Sequence, residues 1–181
     1  MNNAFPGYLI TLSEQGAFLG GMMITDRYGI PKDFKYTDPV TPTEVQRIIY
    51  GSVLDRYVRN HVIIGALLKE SNMQPSFYVV PHDQMGSVTE AHNLTVLSFQ
   101  RTQFTSLGAV GTMNRSKDNE CLIQGYGNAH PIRVLFGTVP LDQQKAILKD
   151  IVFLTKSMDI VEPQERVEAA LKSICLEKTR K

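Results

Sequence analysis

The sequence contains little cysteine, no excess of one charge and no long hydrophobic run. Its two cysteines, Cys121 and Cys175, lie far apart and outside any paired-cysteine motif. A disulfide framework and a structural zinc site are therefore not indicated. Lysine and arginine total 19 against 18 aspartates and glutamates, so the net charge of +1 identifies neither a polyanionic nor a polycationic partner.

Signals for membranes and secretion are also missing. No hydrophobic run approaches the roughly 20 residues that cross a bilayer. The amino-terminal stretch MNNAFPGYLITLSEQG lacks the basic start, apolar block and cleavage site of a secretory signal. We therefore expect a cytoplasmic protein without a membrane partner, and the length of 181 residues predicts one domain over 1–181.

The sequence does contain short apolar runs separated by turn residues near its start. Segments 7–13 and 18–26 are joined by a polar connector with a glycine, which predicts a β-hairpin. The second run ends in Asp26-Arg27-Tyr28-Gly29, whose first and last residues are typical of a tight turn. The chain then returns over 30–37 as a third predicted strand.

A helix is predicted next. Thr41 and Glu44 have the spacing of a capping box, and Val40 and Val45 that of a hydrophobic staple. Apolar residues at helical spacing extend the helix over 42–70, as one kinked helix or as two, because Gly51-Ser52 interrupts the pattern.

The remaining pattern predicts further strands and two closing helices. The strands are expected at 76–81, 94–102, 121–127 and 131–137, and the helices begin at Pro140 and Glu162. Segment 82–93 is typical of a loop with at most a turn of helix, segment 103–120 is either a mobile loop or a hidden hairpin, and 177–181 is a frayed end. The order predicts an α+β fold: a mainly antiparallel sheet of five to seven strands, with a helix on one face and the two carboxyl-terminal helices on the other.

One candidate catalytic pattern lies in the first hairpin. Asp26, Asp33 and Lys35, with Glu44 nearby, imitate the carboxylates and lysine with which some nucleases hold a magnesium ion and orient water. Across a hairpin the two aspartates would start about 10 Å apart, which is too far to share one ion. A turn aspartate followed by exposed strand residues explains the pattern more simply.

Other candidate sites are weaker. The histidines have no zinc-binding spacing, and neither glycine-rich segment continues as a phosphate or dinucleotide fingerprint, so no metal and no cofactor are predicted. Arg101, Arg115 and Lys117, with phenylalanines interleaved, would suit contacts to a single-stranded nucleic acid. A solvated loop explains the same residues, so nucleic acid is neither indicated nor excluded.

Gly20 and Gly21 stand inside a predicted strand, where glycine weakens pairing unless something needs the space. A bulge, a helix lying tight on the sheet, or a partner chain at a sheet edge would each account for them. With Asp33 and Lys35 these glycines are the candidate binding residues for a protein partner or a homodimer.

The run from Gly20 to Gly51 resembles a pattern of uncharacterised bacterial proteins with no assigned activity, as does the closing MDIVEPQERVEAAL. The element order is similar to that of longin, roadblock and profilin-like domains. The resemblance implies a bacterial protein without implying chemistry.

Two functions compete at this point. The leading hypothesis is a non-enzymatic interaction or regulatory domain that acts through a sheet edge or helix face, because no compact catalytic group is visible. The alternative is a metal-dependent enzyme acting on nucleic acid or a phosphorylated substrate through Asp26, Asp33, Lys35 and Glu44.

Overall fold

The computed structural model describes residues 5–179 and builds them around one mixed sheet of eight strands. The strands are β1 (Pro6–Glu14), β2 (Ala17–Thr25), β3 (Pro31–Tyr36), β4 (Phe77–Val79), β5 (Val96–Arg101), β6 (Met113–Lys117), β7 (Glu120–Ile123) and β8 (Ile132–Leu135). Their order in the sheet is β3-β2-β1-β4-β5-β8-β7-β6. The α+β class is therefore confirmed, whereas the predicted five to seven strands were too few.

Parallel pairing in the middle of the sheet also differs from the mainly antiparallel prediction. Strand β4 runs parallel to β1 on one side and to β5 on the other, while the remaining pairs are antiparallel. Parallel neighbours require a crossover on a face of the sheet. The helical segment 44–70 and the helix after β4 supply these two crossovers.

The segment 44–70 changes helix type along its length. It comprises α1 (Glu44–Tyr50), a 3₁₀ turn (Gly51–Val53), α2 (Leu54–Tyr57), a π-helix (Val58–Ile64) and α3 (Gly65–Glu70). Gly51 has a φ of 50°, so the interruption predicted there separates α1 from the remainder. A 3₁₀ turn (His82–Gln84) and α4 (Met85–Ala91) follow β4, and α5 (Leu141–Thr155) and α6 (Glu162–Thr179) close the fold.

Two hydrophobic cores lie on opposite faces of the sheet. One contains apolar residues of segment 44–70 and of α4 against the sheet, including Leu54, Ile63 and Val88. The other contains α5 and α6 residues such as Ile151 and Leu171. The predicted placement of the first helix and the closing pair on opposite faces agrees with this arrangement.

Several local predictions need correction. The capping residue of α1 is Thr43, which exchanges hydrogen bonds with Gln46, so the box begins two residues later than Thr41. Val45 is 65% exposed and does not act as a core staple. Segment 82–93 contains α4, and segment 103–120 contains β6, which pairs with β7 as a hairpin.

The carboxyl-terminal end is only partly described. Helix α6 extends to Thr179, and residues 180–181 of the predicted frayed end lie outside the described residues. Within residues 5–179, none of the helices has the length and apolar character that a bilayer crossing requires.

Candidate functional site

The carboxyl ends of the parallel strands lie at one edge of the sheet, the place where open α/β sheets bind ligands. Strand β1 pairs with β4 only as far as Tyr8 and Val79, but continues to Glu14. Backbone atoms of β1 beyond that point therefore face the crevice where β4 has ended.

Beyond the end of β4, side chains take the place of strand partners for the backbone of β1. Gln84 Nε2 and Arg59 Nη1 each donate to the Thr11 backbone oxygen, at 3.3 Å in both cases. The Thr11 hydroxyl donates to Gln84 Oε1 at 2.7 Å and accepts from Arg59 Nη1 at 3.0 Å. Because Thr11 is only 2% exposed, this closed network holds Arg59 in one place.

The π-helix explains why Arg59 reaches this edge. It packs so tightly on the sheet that a Cβ on Gly20 would lie 2.3 Å from Ile63 Cγ2. The wide turn of a π-helix is frequent at functional sites. The guanidinium carbon of Arg59 also lies 5.5 Å from the ring centroid of Phe18, a contact that further restrains the side chain.

A second arginine lies at the same end of β1. Arg47 Nη2 donates at 2.9 Å to the backbone oxygen of Gly16, in the turn between β1 and β2. In the part of the chain that the structure describes, neither Arg47 nor Arg59 is ion-paired with a carboxylate. Among residues 5–175, whose side chains the structure describes, the Nε and Nη2 atoms of Arg59 likewise have no hydrogen-bond partner. Such donors match the oxygens of a phosphate.

The acidic residues singled out in the sequence are not gathered at this edge. Asp26 lies in the β2–β3 turn, where its carboxylate accepts from the amides of Tyr28 and Ile30 and lies 3.5 Å from Lys32 Nζ. Burial alone would raise the pKa of Asp26, but these amides and the lysine outweigh it and lower the pKa below its usual value. Asp26 is therefore explained by its turn.

Asp33 and Lys35 lie on the edge strand β3 and pair with each other at 3.6 Å. Glu44 is exposed at the start of α1. Residues 5–175, whose side chains the structure describes, contain no group of three or more histidine, cysteine, aspartate or glutamate side chains that could hold a metal ion. A catalytic role for these residues stays a prediction.

Gly20 and Gly21 lie on β2, which pairs with β1 on one side and with β3 on the other. Both are buried, Gly20 under the π-helix and Gly21 under α6, where an added Cβ would lie 3.1 Å from Leu171 Cδ2. Of the three explanations weighed above, tight helix packing accounts for this pair, and neither glycine lies at a sheet edge.

The basic residues Arg101, Arg115 and Lys117 do not form one patch. Arg101 ends β5 and pairs with Glu165 at 2.6 Å and Asp159 at 3.0 Å, contacts that raise its pKa further. Arg115 and Lys117 lie on β6, with β8 and β7 between that strand and β5. Carboxylates already neutralise the first of these cations, so a joint nucleic-acid contact by all three is not favoured.

Sequence reasoning missed Thr11, Arg59 and Gln84 altogether. They lie up to 73 residues apart in the chain and meet only in the folded protein. No local motif marks them, and the only hint was an arginine inside an apolar helical pattern.

Comparison with solved structures relates this architecture to known proteins. No protein-family model matches the chain, and no curated protein matches it either. Endonuclease V of Streptomyces avermitilis superposes with a TM-score of 0.60 at 13% identity, over 99% of this chain and 83% of that one. Endonuclease V of Bacillus subtilis gives 0.59 at 12% identity, over 99% and 83%.

A third structure is endonuclease V of Ciona intestinalis in complex with a 23-mer DNA that contains an inosine followed by a ribo-adenosine. It gives 0.57 at 10% identity, over 96% of this chain and 86% of that one. The chain has the endonuclease V fold.

The endonuclease V fold corrects two predictions. The similarity to longin, roadblock and profilin-like domains is wrong, since the likeness to endonuclease V extends over nearly the whole chain. The resemblance to uncharacterised bacterial proteins is also wrong as a guide to the family, because the structural likeness is to endonuclease V. The leading hypothesis of a non-enzymatic interaction domain is also overturned, because the fold is that of nucleases and favours the alternative.

Proposed function

We propose that this protein acts on nucleic acid and holds its phosphate backbone at the carboxyl edge of β1 through Arg59 and Arg47. The observation that carries the proposal is the anchored Arg59. Its Nη1 donates to Thr11, and its Nε and Nη2 remain available as donors to a phosphate. A guanidinium fixed in this way loses little side-chain entropy when it binds phosphate. The Ciona protein of the same fold is bound to DNA, which supports this substrate class.

The near-neutral net charge does not oppose the proposal. Affinity for a phosphate backbone depends on cations that contact it, and a local pair of unneutralised arginines supplies such contacts without an overall excess. Few contacts imply a shallow dependence on salt, because each neutralised phosphate contributes a slope of about one.

A divalent metal does not fit the donor groups at this edge. The described crevice residues Thr11, Arg59 and Gln84 offer hydroxyl, amide and guanidinium groups, and a cation beside Arg59 would meet charge repulsion. The carboxylates of Asp26 and Asp33 each lie beside a lysine instead. No metal-assisted step is therefore assigned to these residues.

The test measures binding of fluorescently labelled DNA and RNA oligonucleotides, single-stranded and duplex, over a range of salt concentrations. Arg59→Gln keeps a donor for Thr11 but removes the charge, and we expect weaker binding with the salt slope reduced by about one. Arg47→Gln should behave in the same way. Circular dichroism would establish that each variant is folded.

Arg56→Gln is the matched control. Arg56 is on the same helical segment, but its guanidinium points towards Glu90, 3.9 Å away, and both side chains are exposed. The affinity of the Arg56→Gln variant for the oligonucleotides, and its salt slope, should equal those of the wild type. Failure of the wild type to bind any of the oligonucleotides, or equal losses in Arg56→Gln and Arg59→Gln, would refute the proposal.

A further inference from the structure

Four rings form a row along the outer side of the helical segment and α4. Tyr50 and Tyr57 stack with ring centroids 4.6 Å apart and planes 29° apart. His61 follows at 5.5 Å from Tyr57, and His92 at 6.4 Å from His61. Each ring therefore contacts the next, from Tyr50 to His92.

Tertiary structure assembles this row. Tyr57 and His61 are four residues apart and lie on one side of the helical segment, and the 3₁₀ turn between α1 and α2 brings Tyr50 against Tyr57. Helix α4 ends beside the π-helix, where His92 Nε2 lies 2.9 Å from the Asn60 backbone oxygen.

Two members of the row lie outside the hydrophobic cores. Tyr57 is 39% exposed, His61 is exposed, and neither belongs to the two core clusters, whereas Tyr50 packs against one of them. A groove of about 200 Å³ begins beside Tyr50 and Tyr57, and its other walls are Val40, Pro42, Gln46, Leu54, Val58 and Val62. Partly exposed rings beside a mainly apolar groove offer a planar ligand both stacking and burial.

We propose that this row stacks the bases of a single-stranded nucleic acid. The inference rests on the proposed function, and it specifies which form of nucleic acid the protein prefers. Bases stack readily on aromatic side chains when they are unpaired, whereas duplex bases are already stacked on one another. The flanking charges fit the same occupant, because Arg47 and Arg59 belong to the helical segment that carries Tyr50 and Tyr57.

Tyr57→Ala tests the inference in the binding assay described above. Loss of one stacking platform weakens single-strand binding about tenfold, while duplex binding changes little. Tyr57→Phe keeps the ring and should bind like the wild type, which separates stacking from the hydroxyl group. The matched control is Phe34→Ala, because Phe34 is a comparably exposed ring, at 37%, on the edge strand β3.

The outcomes distinguish this inference from the proposed function. If Arg59→Gln weakens binding but Tyr57→Ala and Phe34→Ala leave single-strand affinity unchanged, the stacking row is refuted and the phosphate site stands. If the wild type binds no oligonucleotide, the stacking inference and the proposed function are both refuted. Light scattering that shows a dimer lost in Tyr57→Ala would assign the row to contact with a second copy and would also overturn the inference.

Discussion

At the scale of single residues, Gly20 decides how closely the helical segment approaches the sheet. Its missing side chain leaves room for Ile63, and this contact lets the π-helix carry Arg59 over the end of β1. Glycine usually weakens a strand, but here the helical segment occupies the space that a side chain would fill. One glycine thus links the core to the candidate phosphate site.

Replacing Gly20 with alanine should destabilise the protein by about 1–3 kcal/mol or more, because overpacking forces neighbouring atoms to shift. The added Cβ would lie 2.3 Å from Ile63 Cγ2 and 3.2 Å from the Ile10 backbone oxygen. The free energy of unfolding in urea measures the effect.

Gly86→Ala is the control. Gly86 lies within α4 and has no atom within 4 Å of an added Cβ, so alanine should leave stability unchanged or raise it by about 0.5–1 kcal/mol. Equal stability of Gly20→Ala and the wild type would show that the helical segment is not held by this contact.

At the scale of elements, short-range hydrogen bonds explain the first hairpins and the start of α1. Asp26 closes the β2–β3 turn by accepting from two amides, and Gly29 takes the positive φ of 77° that the turn needs. Thr43 and Gln46 cap α1 reciprocally. The sequence predicted the cap at Thr41, two residues before the one that forms.

The turn at Asp26 should make stability depend on pH. Because the folded-state pKa of Asp26 is lowered, its contribution is fully present above the unfolded pKa of about 3.9 and is lost as pH falls through the folded value. The difference in unfolding free energy between the wild type and Asp26→Asn should therefore be largest above about pH 5 and should shrink below about pH 4.

Urea unfolding at several pH values measures this difference. Asp83→Asn, at an exposed carboxylate in the 3₁₀ turn before α4, is the control for replacing an aspartate outside the β2–β3 turn. A difference for Asp26→Asn that does not change with pH would mean that the turn does not depend on the charged carboxylate.

At the scale of the whole molecule, the parallel centre of the sheet creates the candidate site. Strand β4 ends beside the middle of β1, and the crevice beyond it is closed by side chains from the helical segment and the 3₁₀ turn after β4. Among residues 5–175, whose side chains the structure describes, no metal-binding cluster occurs. The proposal for this edge therefore rests on arginine contacts to phosphate and not on a bound cation.

Addition of Mg²⁺ or Mn²⁺ without nucleic acid should leave the melting temperature unchanged, since a ligand that binds the folded state would raise it. Thermal melts with and without each metal measure this. A rise that disappears in Asp33→Ala would instead support the hypothesis that Asp26 and Asp33 hold a metal.

Local rules were sufficient for the α+β class, the first two hairpins, the interruption at Gly51 and the two closing helices, because each depends on neighbours in the chain. They failed for α1, whose apolar Ile48 and Ile49 are 74% and 75% exposed although their spacing predicted a buried face. Periodicity shows that a helix has an apolar side but not what covers that side.

The candidate site was decided only by the tertiary structure. Thr11, Arg59 and Gln84 come from a strand, a π-helix and a 3₁₀ turn, and no spacing in the sequence relates them. They meet because β4 pairs in parallel with β1 and stops short, which leaves backbone groups that side chains must satisfy. Hydrogen bonds between residues so distant in the chain depend on strand order and register, and these are properties of the folded sheet.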